Sequence, residues 1–337
     1  MLSNINFDHL FKSFNTQKVL IIGDVMIDTY LWGKVDRISP EAPVPVVLIN
    51  QKEYRLGGAA NCALNIQSLG AEPILCSVIG NDIKGDEFIN LLKDNKISDI
   101  GILRSENRCT TTKYRIIGNN TQMLRVDEEI TDNLNATDSE LFIALIGKLI
   151  AKHKIGSVIF QDYDKGVITP EIIEKLIPVF NELNIPIAVD PKKRNFHLYE
   201  NVSLFKPNLK ELKEGLKLEF DAQSPTELSA AVNQLLEQHN VRIVLTTLSE
   251  KGIYLSCNSR DKGRLNKLIP AHIRYIADVS GAGDTVISTA ALCLAVDLKA
   301  YDIAYISNLA GGLVCEQIGV VPVDKERLLA ELKSIKQ

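Results

Sequence analysis

The sequence lacks the two glycine-rich loops that most often announce a nucleotide site. No Gly-x-x-x-x-Gly-Lys-Ser/Thr string occurs, so the lysine-and-nest phosphate cradle is absent, and no Gly-x-Gly-x-x-Gly follows the first strand-like run, which removes the dinucleotide reading. The five histidines (His9, His153, His197, His239 and His272) never fall at metal-ligand spacing, and no serine sits in a Gly-x-Ser-x-Gly elbow. Zinc enzymes and serine hydrolases therefore rank low. Six cysteines are scattered with no Cys-x-x-Cys pair, mostly in apolar surroundings, which predicts buried free thiols in a reducing cytoplasmic setting. Leu10, Phe11 and Phe14 sit at helical spacing near the N-terminus, but no basic region precedes a long apolar run, so neither a signal peptide nor a membrane span is indicated. There is no basic arm beyond short pairs such as Lys192-Lys193-Arg194, and a net charge of -4 argues against a nucleic-acid partner. No repeat of 20 to 50 residues and no low-complexity linker divides the 337 residues.

What is present reads as one α/β domain, a doubly wound and mostly parallel sheet flanked by helices, spanning residues 1–337. Residues 18–23 (Lys-Val-Leu-Ile-Ile-Gly) form a short apolar run typical of a strand buried on both faces, and ligands of such sheets gather at the strand's C-terminal end, where Asp24 and Asp28 stand. Further strands are expected at 73–80, 156–160, 185–190, 202–206 and 241–246, with helices at 170–183 and 226–239 between them. Two stretches leave this pattern. Residues 30–55 contain Ser39-Pro40-Glu41-Ala42-Pro43-Val44-Pro45, which cannot be helix, and then an edge strand at 46–50. Residues 110–126 read as a hairpin turning at Gly118-Asn119-Asn120. Paired, the two excursions predict a small β-sheet lid over about 30–56 and 108–127 that keeps water from a site. Between them Gly57-Gly58-Ala59-Ala60-Asn61 opens a helix, as a hinge, a substrate contact or both.

The most informative stretch is Ile276-Ala277-Asp278-Val279-Ser280-Gly281-Ala282-Gly283-Asp284-Thr285, followed by an apolar run. Glycines around an alanine bring bare N–H groups close to a ligand, and the helix behind them aims its positive dipole end at the same point. Asp284 stands where a phosphoryl group would rest. A carboxylate there repels the anion unless it has a task, and the evident one is to accept a proton from an attacking hydroxyl. The plainer reading, a helix start with a dipole-favoured surface aspartate, carries similar weight for this stretch alone. Four strand-end loops tip the balance: Gln161-Asp162-Tyr163-Asp164-Lys165-Gly166, Asp190-Pro191-Lys192, Lys206-Pro207-Asn208-Leu209-Lys210-Glu211 and the 246–252 loop with Thr247, Ser249 and Gly252.

With these residues in place the chain resembles the ribokinase-like (PfkB) carbohydrate kinases over nearly its whole length. Gly57-Gly58-Ala59-Ala60-Asn61-Cys62-Ala63, with Gly70 and Gly80, resembles the first family signature, and Asp278-Val279-Ser280-Gly281-Ala282-Gly283-Asp284 the second. Thr289 departs from the small residue preferred there, which touches helix packing and not chemistry. Within the family, residues 23–28, the string Arg37-Ile38-Ser39-Pro40-Glu41-Ala42-Pro43-Val44-Pro45-Val46, and Asp190-Pro191-Lys192 are similar to the D-glycero-β-D-manno-heptose 7-phosphate kinases, the kinase half of bifunctional enzymes of ADP-heptose and lipopolysaccharide synthesis. The His-x-Gly-His nucleotidyltransferase domain of those enzymes has no counterpart before Gln337, so a separate kinase subunit is expected.

The resemblance implies ATP and Mg2+ as cofactors and a sugar phosphate as substrate, phosphorylated at its anomeric (C1) hydroxyl. Asp284 is then the base, and the amides of Gly281, Ala282 and Gly283 hold the developing charge. Asn208 and Glu211 match an Asn-x-x-Glu that orders the water shell of Mg2+, though the same pair also reads as an ordinary helix start. Asp24, Asp28, Gly57, Gly58 and Asn61 are the sugar contacts by correspondence. The substrate's own phosphate needs a cation at the far end from Asp284, with Lys192 the first choice, Lys113 and Arg115 next, then Arg37 and Arg125. Adenine is expected near Thr247, Ser249 and Gly252 and the closing helices around Asn308 and Gly312. Asp278 and Ser280 correspond to a K+ position in some ribokinases. A homodimer covering the lid edge is expected. The alternatives are another kinase of this family, acting on fructose phosphate or ribose, and a catalytically silent sugar-phosphate sensor, against which the intact Asp284 speaks.

Overall fold

The computed structural model describes residues 5–259, 263–272 and 275–335. Apolar β-branched runs make the centre of the protein: among the described residues a nine-stranded sheet runs, in spatial order, Gly263–Ile269, Ile253–Ser259, Ile243–Thr247, Leu204–Phe205, Ile187–Asp190, Ser157–Gln161, Lys18–Gly23, Glu72–Gly80 and Gly101–Ser105. All neighbours from Ile243–Thr247 onward are parallel, and the two strands at the other edge are antiparallel additions. Parallel strands need both faces covered, and two apolar clusters do this. One contains Phe88, Ile287 and Leu309 from the helices Ile83–Asp94, Ala282–Ala295 and Ala300–Val314. The other contains Phe142, Phe180 and Leu235 from Ala136–Lys152, Pro170–Glu182 and Pro225–Gln238. The chain reverses direction around Lys18–Gly23, so the carboxyl ends of this strand and of Ser157–Gln161, Ile187–Asp190 and Leu204–Phe205 border one crevice.

The second sheet has four strands in the order Pro45–Gly58, Val25–Ile38, Thr112–Gly118 and Thr121–Glu128. It is the small sheet expected from the two excursions, with longer strands. The short strand expected at 46–50 runs on to Gly58, because Gly57 and Gly58 pair with Met26 and Val25 at the end of the ladder. The two glycines therefore close a strand, and the helix begins one residue later at Ala59 with Gly58 as its N-cap at φ +62°. Ile38, Ile49 and Leu124 are exposed, and the register puts all three on one face of this sheet, which is apolar and open. The strand Gly101–Ser105 and the hairpin Ile253–Ser259/Gly263–Ile269 were not anticipated. The last interleaves polar Ser256, Asn258, Arg264, Asn266 and Lys267 with its apolar residues, as an edge hairpin does.

Candidate active site

The glycine turn and the first signature helix meet. Gly281 is the N-cap of Ala282–Ala295 at φ +79°, a left-handed conformation suited to glycine, and a Cβ there would come within 2.9 Å of Asn61 Nδ2. Asn61 lies in the first turn of Ala59–Ser68, and its Nδ2 donates to Asp284 Oδ2 at 2.7 Å across 223 residues of sequence. A turn further along, Thr285 Oγ1 and the Val323 amide both donate to Asn65 Oδ1 at 3.0 Å. The two signatures thus form one buried polar seam. Of the three amides expected to hold charge, that of Ala282 already donates to the Val279 carbonyl at 3.3 Å. The amides of Gly283 and Asp284 head the helix without intrahelical acceptors.

Asp284 is buried, with 6% of its surface exposed. Oδ1 accepts from Tyr163 Oη at 2.7 Å and from Gln161 Nε2 at 3.2 Å. Burial pushes its carboxyl up to about 6; the bonds from Tyr163 and Asn61 work the other way, the Asp190 charge adds to the rise and Lys206 opposes it. Such a group is ionised at neutral pH yet close enough to titration to take a proton. Gln161 Nε2 also reaches Asp190 Oδ2 at 3.1 Å, and Asp190 is paired with Lys206 at 3.0 Å, both side chains almost wholly buried. Gln161, Tyr163, Asp190 and Lys206 were named in strand-end loops but given no role. Their signal was position, since Gln161, Asp190 and Lys206 stand at the ends of apolar strands.

This corner opens into a cleft of about 480 Å³, a size suited to a cofactor. All of the nucleotide candidates line it: Asn208, Glu211, Thr247, Ser249, Gly252, Asn308 and Gly312, together with Gly281, Ala282, Gly283 and Asp284. Asn308 Nδ2 donates to the Pro270 carbonyl at 2.9 Å, fixing the cleft's far wall. Asn208 and Glu211 do form a helix start, a capping box in which Asn208 Oδ1 accepts from the Glu211 amide and Glu211 Oε2 from the Asn208 amide, each at 2.8 Å. The remaining Glu211 oxygen pairs with Lys192.

Lys192 is accordingly not at the far end from Asp284. It follows the strand Ile187–Asp190, whose carboxyl end faces the glycine turn, and it lines the same cleft with its Nζ 5.7 Å from the centroid of the Tyr163 ring. Asp24 is also reassigned. Its two oxygens accept the amides of Tyr163, Lys165 and Val167, at 2.8, 3.2 and 2.9 Å, and only 1% of the residue is exposed. It anchors the loop that carries Tyr163, and its burial keeps it from a sugar in the cleft. Burial raises its pKa against these amides.

The other sugar candidates, Asn61 apart, stand on the strands of the second sheet. Asp28 pairs with Arg115, whose guanidinium lies 5.2 Å from the centroid of the Tyr30 ring, and Arg55 stacks on that ring at 4.9 Å. A Cβ on Gly57 would meet Asp28 Oδ2 at 2.5 Å, and one on Gly58 the Asp24 carbonyl at 2.4 Å, so close backbone approach explains both glycines. Lys113 is bound to Asp127 at 2.9 Å and Glu129 at 3.1 Å, and Glu129 also holds Lys165. Two carboxylates around Lys113 make it a poorer phosphate ligand than Arg115. Arg125 is bound to Asp127 as well.

Asp278 accepts the amides of Ser280 and Gly319 at 2.9 Å each. Burial would raise its carboxyl, but these bonds outweigh it and hold the pKa low. Among the described residues no group of three or more His, Cys, Asp or Glu side chains is placed to hold a metal ion, and no helix is long and apolar enough to cross a membrane. A hydrated divalent cation, which keeps several waters and takes its other ligands from phosphate, would need only a carboxylate near its water shell, and Glu211 lines the cleft. The described cysteines are all unpaired, four buried and two, Cys109 and Cys315, half-buried.

Comparisons with known proteins bear on the fold and the family. The Bifunctional protein HldE of Helicobacter pylori (strain HPAG1) is 41% identical over 303 residues, 90% of this chain and 64% of that protein. That of Magnetococcus marinus is 38% identical over 322 residues, 95% of this chain and 65% of the relative. The chain therefore spans about two thirds of the length of these relatives. Phosphofructokinase-2 from Escherichia coli in complex with potassium superposes with a TM-score of 0.75 at 16% identity, over 94% of this chain and 99% of that one. Arabidopsis thaliana ribokinase complexed with ribose and ATP gives 0.69 at 17%, over 93% and 98%. At such identities the two structures speak for the fold alone. Residues 16–326 match the family described as pfkB family carbohydrate kinase, and with both glycine signatures joined at Asp284 the chain belongs to that family.

Proposed function

We propose that this chain is an ATP-dependent kinase that transfers the γ-phosphoryl group to the anomeric hydroxyl of D-glycero-D-manno-heptose 7-phosphate, giving the 1,7-bisphosphate for ADP-heptose synthesis. The observation that carries the phosphoryl-transfer reading is Asp284 itself, a buried carboxylate at the head of a glycine turn whose pKa burial pushes up to about 6. The sugar rests on the resemblance of residues 37–46 and 190–192 to heptose 7-phosphate kinases and on the HldE relatives.

In this reading the triphosphate lies along the cleft with its terminal phosphate at the amides of Gly283 and Asp284. Asp284 takes the proton of the attacking C1 hydroxyl while Asn61 and Gln161 hold the carboxylate in line. Each amide donor at the developing charge contributes about 3 kcal/mol, by the scale of oxyanion-hole deletions. Glu211 and Asn208 would face the water shell of bound Mg2+, which supplies charge neutralisation between the phosphates. Asp28 and Gly57 approach the sugar hydroxyls, and Arg115 takes its 7-phosphate. Asp278 and Ser280 are the positions for K+, and equal activity in sodium and potassium buffers would remove that assignment. The enzyme works in the cytoplasm as a homodimer whose open apolar lid faces pack together.

Phosphorus NMR of the protein with MgATP and heptose 7-phosphate tests the whole. A new anomeric phosphate resonance, absent in Asp284→Asn, is the expected result. A product formed only from another sugar would overturn the substrate, and no product from any sugar would leave the sensor.

A further inference from the structure

Three neutral donors hold Asp284, and they are not equivalent. Asn61 and Gln161 are fully buried and do not line the cleft, whereas Tyr163 is half-buried and does. The Tyr163 hydroxyl lies 2.7 Å from Oδ1, the range in which a base must meet the hydroxyl it deprotonates. Burial and the Asp284 charge raise the Tyr163 pKa well above its ordinary value, so it remains a phenol that donates. Its backbone cannot drift, since the amides of residues 163, 165 and 167 are clamped on Asp24. Only the side chain is left to move.

Resting on the reading of Asp284 as the base, we propose that the Tyr163 hydroxyl stands in for the acceptor hydroxyl in the empty site, keeping water off Asp284 until the sugar displaces it. The device addresses a specific hazard. With ATP bound and no sugar, a water at Oδ1 would attack the γ-phosphorus; its proton would pass to Asp284, the bond to the ADP oxygen would break, and ATP would be hydrolysed. A phenol at that position leaves Asp284 no water to activate, and its oxygen is tied to a ring on the loop clamped by Asp24. The sugar must then break one hydrogen bond to bind, which weakens its apparent affinity in exchange for selectivity over water.

Tyr163→Phe keeps the ring, and with it the contact with Lys192, while removing the donor. We expect ADP release from MgATP without sugar to rise about three- to tenfold and the KM for the sugar phosphate to fall by a similar factor, the worth of one exchanged hydrogen bond. A tyrosine needed only for packing would leave hydrolysis flat, and a donor needed in the reaction would raise KM or leave it unchanged; either result overturns the proposal. The hydrolysis arm needs no sugar, so it is independent of which sugar is the substrate. The double variant Tyr163→Phe/Asp284→Asn should lose the added hydrolysis. If that hydrolysis survives, Asp284 does not activate the water, and the reading of the base fails along with the proposal.

Discussion

Asp284 is held in its charged form at a cost to the fold, and the cost can be measured. Its pKa rises from 3.8 to about 6 on folding. Each unit is worth 1.36 kcal/mol, so above both values the ionised carboxylate destabilises the native state by about 3 kcal/mol relative to a neutral group. The direction follows from the raised folded value: the native state binds the proton more tightly, so this contribution is most favourable below pH 4 and is lost as pH rises through 6. Asp284→Asn removes the charge and keeps the shape. The new amide places an NH2 against Asn61 Nδ2, a conflict that a flip of the Asn61 amide relieves, since its Oδ1 is engaged only by Asn65 Nδ2 at 3.5 Å. The variant should therefore lose about 10²-fold or more in turnover while gaining up to about 3 kcal/mol at pH 7.5, about 5 °C in Tm. At pH 5 the native carboxyl is mostly protonated, and roughly half of the difference should disappear. Calorimetry at the two pH values decides. A variant less stable than the native protein at pH 7.5, or equally stabilised at both, would refute the argument that burial governs this carboxyl.

Asn61→Ala strips the donor from Oδ2, and since a hydrogen bond to a charged group favours the charged form, the acid limb of kcat/KM should move up by about one unit from near 6; an unmoved limb would mean that Asn61 does not touch the working base. Gly281→Ala forces a Cβ into a left-handed residue and against the Asn61 amide, so it should cost about 1 kcal/mol or more in stability. ATP affinity by titration calorimetry should weaken with it, and unaltered binding would show that the turn does not shape the anion site. Arg115→Ala should raise KM for the sugar phosphate about tenfold or more while leaving that for ATP within twofold. A loss confined to ATP would move Arg115 out of the sugar pocket.

The parallel strands were legible because burial on both faces leaves uninterrupted apolar runs, as at 18–23, and the lid because prolines and a Gly-Asn-Asn turn exclude helix. Asp284 was legible through its glycines. What could not be read was how buried polar groups share their lone pairs. Asp24 and Asp28 look alike in sequence, yet one is spent on three loop amides and the other faces an arginine. Lys192 was assigned to the wrong end because sequence gives the strand it follows but not that the strand's end borders the glycine turn. Gln161 was invisible for a related reason: a glutamine gains meaning only when the two carboxylates it bridges, Asp190 and Asp284, are brought together from distant segments.

On the proposed reading of Asp284 as the base, the charge pattern of the cleft explains why neutral donors serve it. Among the described lining residues both lysines are committed, Lys206 to Asp190 and Lys192 to Glu211, which leaves Asp284 as the buried lining carboxylate with no ion-pair partner. Had a lysine paired directly with Asp284, the carboxyl would have been held well below its ordinary range and would make a weak base. With no partner of any kind burial would raise its pKa by several units, and the group would be neutral at pH 7. Three uncharged donors lie between these cases, and the Asp190–Lys206 pair adjusts the balance from a distance through Gln161. The same arrangement leaves no surplus positive charge on these side chains for a triphosphate. If the nucleotide binds as proposed, it arrives with its own cation and the glycine turn contributes only oriented amides, which would let phosphoryl chemistry run here without a P-loop lysine.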